Sequence, residues 1–246
     1  MPHRIFYPDL AGIPAEPGSF CVVEGDDARH VAQVRRAHVG EPVELFDGAG
    51  HWTCGAIQEI RKKGLAIRLE GRQFEPRAIQ PLILAAPAPK GPRADMMVEQ
   101  ISQLGADGWL ILQTARSIVD PRENKIEKWK RAAIESAKQC GRRWLLEIEG
   151  PMTLESALAR PAQRFVGDPG ARPGQWLQSR TLPPSSEMPT MLFIGPEGGF
   201  APDEQDALRT AGSIGMWLGP HILRLETAAV AGLSLLGEAL NRITPL

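Results

Sequence analysis

Two short stretches concentrate the residue types best suited to chemistry: Leu192 to Phe200, LFIGPEGGF, and Leu218 to Ala228, LGPHILRLETA. In the first, an apolar run from Met191 to Ile194 stops at Gly195-Pro196-Glu197-Gly198-Gly199, the pattern of a buried strand ending in a turn. Glycine leaves the main chain uncovered and tolerates positive φ, so a ligand can approach backbone amides and carbonyls closely there. The second stretch repeats the arrangement. Met216 to Leu218 reads as a short strand, Gly219-Pro220 breaks it, and Ile222 to Ala231 runs into a helix. Charge follows each break: Glu197 in one, and Arg224, Glu226 and the hydroxyl of Thr227 in the other. If their strands are neighbours, the two ends lie side by side at the carboxyl edge of an α/β sheet, where ligands bind. One Gly-Pro is only a turn; two followed by charge point to a site.

These loops are not phosphate cradles. A Walker loop needs Gly-Lys-Ser/Thr and a dinucleotide fingerprint needs GxGxxG between strand and helix, and neither stands at these breaks. Together with Gln139-Cys140-Gly141-Arg142 and Leu45-Phe46-Asp47-Gly48, the GPEGGF and ILRLETA motifs resemble the RsmE-like family of SPOUT methyltransferases. That family methylates N3 of a uridine in 16S ribosomal RNA of the small subunit, with S-adenosylmethionine as cofactor. The resemblance spans essentially the whole chain, and its C-terminal motifs are the specific ones. It implies an α/β fold: a C-terminal SPOUT domain with a deep trefoil knot, residues 73–246, preceded by a small PUA-like β-barrel that grips RNA, residues 1–72. It also implies a homodimer.

The resemblance distributes roles over this chain. Gly167, Ile194, Gly195, Pro196, Glu197, Gly198, Gly199, Leu218, Gly219, Ile222 and Leu223 would hold the cofactor, with main-chain groups imitating a base-pairing edge for its adenine. Arg29, Arg35, Arg36, Gln139 and Arg142 would contact substrate RNA. Methyl transfer from a sulfonium is an in-line displacement, so positioning dominates. The imide N3 of uracil is a poor nucleophile while protonated, and a proton acceptor or a cation raises the rate. Glu226 or Glu197 would take or relay that proton, Arg224 or Arg142 would stabilise charge on uracil oxygens, and Thr227 would orient them. Glu226 could equally cap its own helix. Because pairing hides N3, the target base is expected to be unpaired or flipped out.

Some positions depart from the family pattern. Gln100 and Gln103 stand for a usual Lys and Glu, Ala115 for a Glu, Gln33 for an Arg and Leu225 for a Thr. These losses bear on RNA docking more than on the glycine loops. Two rival functions follow: a related methyltransferase acting on another nucleotide or on ribose oxygen, and a non-catalytic RNA-binding paralogue.

Composition agrees with a folded protein of this kind. The 246 residues suffice for one large or two modest domains, with 43% hydrophobic and 23% charged residues. No apolar run approaches the ~18 residues of a membrane span, and MPHRIFYPDL lacks a signal peptide's apolar segment. A soluble, cytoplasmic protein is expected. Cys21, Cys54 and Cys140 are far apart, without metal spacing, and are expected to be free thiols in a reducing compartment. No metal is expected. A formal charge of −1 argues against indiscriminate nucleic-acid binding, yet residues 121 to 147 carry eight Lys or Arg against four Glu, a local basic stretch or a solvated helix face.

The elements that must position these residues can be read in order. Phe20 to Val23, Val43 to Phe46, Trp52 to Ile57 and Leu65 to Leu69 read as short strands, with Asp47-Gly48-Ala49-Gly50 as a hairpin turn. Arg29, His30, Arg35 and Arg36 fall on a short helix. The polar, proline-bearing stretch from Gly71 to Pro81 marks a boundary. Leu82 to Ala86 and Trp109 to Leu112 then read as strands, with Met97, Ile101 and Leu104 as a helix face ended by Gly105. Ile126, Trp129, Ala133, Ala137 and Cys140 form a helical stripe ended by Gly141, with Trp129 in the core. Leu145 to Ile148, a helix from Thr153, and Arg164 to Gly167 continue the alternation of a parallel sheet. Gly167-Asp168-Pro169 would give the ligand pocket a third edge. Pro202-Asp203-Glu204 opens a helix, and Val230, Leu233, Leu236 and Leu240 mark the stripe of the last one.

Overall fold

A computed structural model describes residues 2–34, 36–178 and 188–240, side chains excepted at 33 and 34. The chain forms two compact units, residues 1–77 with 137–145, and 78–136 with 146–240 of the described chain.

The first unit is built from β1 (His3–Phe6), β2 (Phe20–Glu24), α1 (Asp26–Arg29), β3 (Pro42–Phe46), β4 (His51–Arg61), β5 (Gly64–Leu69) and β6 (Gln73–Phe74). They make a six-stranded sheet in the order β1-β3-β4-β5-β2, with β6 paired to β4. Strand β2 alternates exposed and buried residues because Cys21 and Val23 face a core that also holds Ile5, Val43, Leu45, Ile57, Leu65 and Ile67. The Asp47–Gly50 turn does join two antiparallel strands, and Asp47 fixes it by accepting from the backbone N–H groups of Ala49 and His51 at 2.7 and 3.0 Å. Strand β1, which periodicity does not announce, pairs in parallel with β3. Residues 137–145 return to this unit. The Leu145 N–H donates to the Gly48 carbonyl at 3.0 Å, and the Arg4 guanidinium donates to the carbonyls of Ala137 and Arg142 at 2.6 and 3.1 Å.

The second unit contains β7 (Leu82–Ala86), α2 (Arg93–Gln103), β8 (Gly108–Gln113), α3 (Glu123–Cys140, its last turn in the first unit), β9 (Glu147–Thr153), α4 (Leu154–Leu158), β10 (Gln163–Gly167), α5 (Gln175–Gln178), β11 (Thr190–Phe193), α6 (Pro202–Thr210), β12 (Ile214–Met216) and α7 (Leu225–Ala239). All six strands run parallel in the order β12-β10-β11-β7-β8-β9. A parallel sheet is covered on both faces, and one face packs Leu82, Leu84, Trp109, Phe165 and Leu192 against α2, α3 and α7. Trp129 is in that core, with its indole N–H donating to Asp95 Oδ1 at 3.1 Å.

Several boundaries shift from the sequence reading. Leu104 lies beyond the end of α2 and is 36% exposed, so it is not part of that helix's buried face. The strand expected over 145–148 begins at Glu147, because Leu145 is bonded into the first unit. The strand expected over 216–218 ends at Met216, which leaves Leu218 in a loop. Arg36 is not helical: its φ of 52° puts it in the left-handed region. Arg35 lies outside the described residues.

Candidate functional site

Strands β11 and β12 are not neighbours; β10 lies between them and pairs with both. Gly167, read as a third edge, therefore sits in the middle of the site, and the loops after Phe193 and Met216 flank it. Parallel strands send all three loops to one edge of the sheet. They enclose a cavity of about 560 Å³, within the range of about 300–1,000 Å³ usual for small-ligand sites. Gly167, Ile194, Gly195, Pro196, Glu197, Gly198, Gly199, Leu218, Gly219, Ile222 and Leu223 all line it.

The wall is mostly main chain and apolar side chain. The loop after β11 begins with the Ile194 N–H donating to the Ala85 carbonyl at 3.0 Å, then turns with the Gly199 N–H donating to the Pro196 carbonyl at 2.8 Å. Gly199 has φ +69°, which other residues adopt only with strain. Gly195 lies so close to the ring of Phe200 that a Cβ there would be 3.1 Å from Cδ2. On the opposite side, the Asp168 N–H donates to the Met216 carbonyl at 2.9 Å and ties the middle loop to the end of β12. Ile222 is 80% exposed at the cavity, an apolar side chain that a ligand would cover. Apolar walls and uncovered backbone suit a flat base with a ribose, so the residues fit an adenosine-containing cofactor.

Of the residues expected to do chemistry, Arg224, Glu226 and Thr227 stand at the start of α7, Glu197 lines the cavity, and Arg142 belongs to the first unit. Arg224 is the N-cap of α7, exposed, with a carbonyl that accepts from the Ala228 N–H at 2.8 Å. Thr227 is exposed. Glu226 is 8% exposed and does not line the cavity. One of its oxygens lies 3.6 Å from Arg93 Nε of α2, and the other, Oε2, is buried without a hydrogen-bond partner among the described residues. A buried carboxylate oxygen without a donor is costly. The neighbours of Glu226, Leu225 and Ala228, turn into the cavity instead.

Of the residues named for RNA, Arg29 ends α1 and pairs with Asp26 at 3.1 Å, Arg36 is exposed, and Arg35 is outside the described residues. Gln139 and Arg142 belong to the first unit. Asp168 and Pro169, read with Gly167 as a third edge, line the cavity, and so do Phe200, His221, Leu225 and Ala228 from within the two glycine-bearing stretches. Sequence reasoning missed Gln205, Leu208, Arg209, Ser213 and Gly215, which carry no local signal. Leu225 also alters the weighing of the departures, since the position that loses a Thr is part of the cavity wall. Among the described residues no cluster could hold a metal ion, and no helix is long and apolar enough to cross a membrane.

Known proteins share this architecture. A family model described as an RNA methyltransferase domain matches residues 76–237, and one described as an RNA methyltransferase PUA domain matches 23–70. The protein named Ribosomal RNA small subunit methyltransferase E from Mycobacterium tuberculosis is 30% identical over 98% of this chain and 94% of its own length. A Legionella pneumophila methyltransferase, solved in complex with bound SAM, is 29% identical and superimposes with a TM-score of 0.83 over 97% of this chain and 98% of its own. The Ribosomal RNA small subunit methyltransferase E of Neisseria gonorrhoeae, at 21% identity and the same TM-score over the same shares, has the same fold. This chain belongs to the RNA methyltransferase family.

Proposed function

We propose that this protein is an S-adenosylmethionine-dependent methyltransferase of the small ribosomal subunit that methylates N3 of a uridine in 16S rRNA. The observation that carries the reading is the cavity at the carboxyl edge of β10, β11 and β12, where every residue named for the cofactor stands. When bound, the cofactor supplies an electrophilic methyl group on a sulfonium. The glycine loops fix its position through backbone groups. Glu226 accepts the imide proton through Oε2, which has no hydrogen-bond partner among the described residues, while Arg93 lies 3.6 Å from the other oxygen. Arg224 stabilises negative charge on the uracil oxygens, and Thr227 orients them.

In this reading residues 73–246 form a SPOUT domain whose chain is knotted, and residues 1–72 a PUA-like barrel that grips RNA through Arg29, Arg35 and Arg36. The matches of the two family models over 76–237 and 23–70 support that division. A cytoplasmic homodimer is part of the same reading. Met96 on α2 and Leu235 on α7, both exposed on helices packed against each other, support the pairing.

The test is to incubate the purified protein with methyl-labelled S-adenosylmethionine and small subunits that lack the modification. Label in 16S rRNA is expected, and a homologous enzyme active on the same subunits while this one leaves them unlabelled would refute the activity. For the base, Glu226→Gln is expected to lower turnover at saturating cofactor by at least about 100-fold. Unchanged turnover across pH would remove Glu226 from that role.

A further inference from the structure

The peptide unit joining Gly198 and Gly199 is part of the cavity wall, and two flexible residues flank it. Its orientation is nevertheless fixed at both ends. The Gly199 N–H donates to the Pro196 carbonyl at 2.8 Å, and the Gly198 carbonyl accepts from Arg116 Nη1 at 2.6 Å. The side chain of Arg116 lies flat against this turn, since a Cβ on Gly198 would be 3.3 Å from its Cδ.

Arg116 comes from the turn after β8, a strand separated from β11 by β7. That turn reaches across the end of β7 and is itself held firmly. The Thr114 N–H and hydroxyl meet the Ser117 hydroxyl at 2.9 and 2.8 Å. The Ala115 N–H donates to Glu204 Oε1 at 2.8 Å. The other oxygen of this buried carboxylate accepts from the Ala201 N–H at 2.7 Å, at the start of α6. Glu204 thus couples the 114–117 turn to the end of the glycine loop, and Arg116 couples it to the middle.

We propose that Arg116 is a positioning residue for cofactor binding: it pins the Gly198–Gly199 peptide in the orientation the cofactor needs. This rests on the reading of the cavity as the cofactor site. A loop already held in its binding conformation loses less freedom on association. The guanidinium is exposed and Arg116 does not line the cavity, so its loss leaves the reacting groups where they are. Arg116 should therefore govern cofactor affinity and not the chemical step.

The experiment is isothermal titration of S-adenosylmethionine into wild-type protein, Arg116→Met and Arg116→Lys, with kcat measured at saturating cofactor. Met keeps the reach and packing of the arginine stem but has no donor; Lys restores one donor. The expected result is a Kd about tenfold weaker for R116M, a Kd within about threefold of wild type for R116K, and an unchanged kcat. An R116M affinity within about twofold of wild type overturns the proposal, as do equal losses in both variants or a fall in kcat at saturation. Failure of the wild-type protein to bind would instead remove the cofactor reading, and this proposal with it.

Discussion

Gly167 offers the sharpest perturbation of the cavity. A Cβ at this position would lie 2.8 Å from Ile194 Cδ1 and 3.2 Å from Leu218 Cδ1. Carbon atoms pack at about 3.5–4.0 Å, so Gly167→Ala must displace both methyl groups. Its backbone φ is not in the left-handed region, so alanine adds no backbone strain. Ile194 and Leu218 both line the cavity and can swing their tips into it. The cost without cofactor is then at most two off-rotamer side chains, about 0.5–1.5 kcal/mol each. With cofactor present the same space is taken, and the clash falls on binding. We expect at least a tenfold weaker Kd for S-adenosylmethionine, about 1.4 kcal/mol. Thermal or urea unfolding reads both parts. At a cofactor concentration about 100 times the wild-type Kd, wild type gains about 2.7 kcal/mol and the variant about 1.4 kcal/mol or less. A variant that loses stability without cofactor yet keeps full ligand stabilisation would refute the placement of the cofactor between these loops.

Other outcomes follow from the core, the thiols and one surface ion pair. Phe165 is fully buried on β10 and meets Trp176 edge-on, ring centroids 5.9 Å apart; Phe165→Ala should cost about 3–5 kcal/mol in urea unfolding, and a loss below about 1 kcal/mol would contradict the packing. Burial pushes the Cys21 thiol up to about 11, which leaves roughly one molecule in a thousand as thiolate at pH 8. Native protein treated with iodoacetamide should therefore show no labelling of Cys21 by peptide mapping, and labelling as fast as in urea would count against its place in the core. The Arg160 guanidinium donates to both oxygens of Glu149 and holds its carboxyl below the usual range. A depressed carboxyl stabilises the fold above the unfolded-state value and loses that contribution as pH falls through the folded-state value. Both side chains are substantially exposed, so Glu149→Gln should cost about 0.5 kcal/mol at pH 7. The difference should vanish well below the ordinary glutamate value of about 4.3; one that grows on acidification would reverse the assignment.

Much of this was legible because local signals agreed with the fold. The apolar runs 82–86, 109–112 and 191–194 mark strands buried in a parallel sheet, the last of them at Thr190–Phe193, and glycine or proline stands near their ends. Main-chain ligand sites leave such a trace, since only glycine permits the close approach of Gly167 and the left-handed turn at Gly199. What escaped is what topology decides. That β10 separates β11 from β12, and that residues 137–145 rejoin the first unit, depends on partners distant in the chain. Strand β6, two exposed residues in a polar stretch, has no hydrophobic pattern to announce it. Leu225 and Ala228 line the cavity although they precede the apolar stripe of α7, so the start of that helix serves the site and its later turns the core. Nothing near Arg93 in the chain marks it out; only the fold brings it to Glu226.

The central claim is tested most directly by the identity of the product. After reaction of the protein with methyl-labelled S-adenosylmethionine and unmodified small subunits, the 16S rRNA is digested to nucleosides and the labelled one is identified by mass spectrometry. The account requires labelled 3-methyluridine. Label on a ribose oxygen or on another base would contradict it, and so would cofactor binding without any methylated nucleoside, which would leave an RNA-binding relative in which the chemistry has been lost.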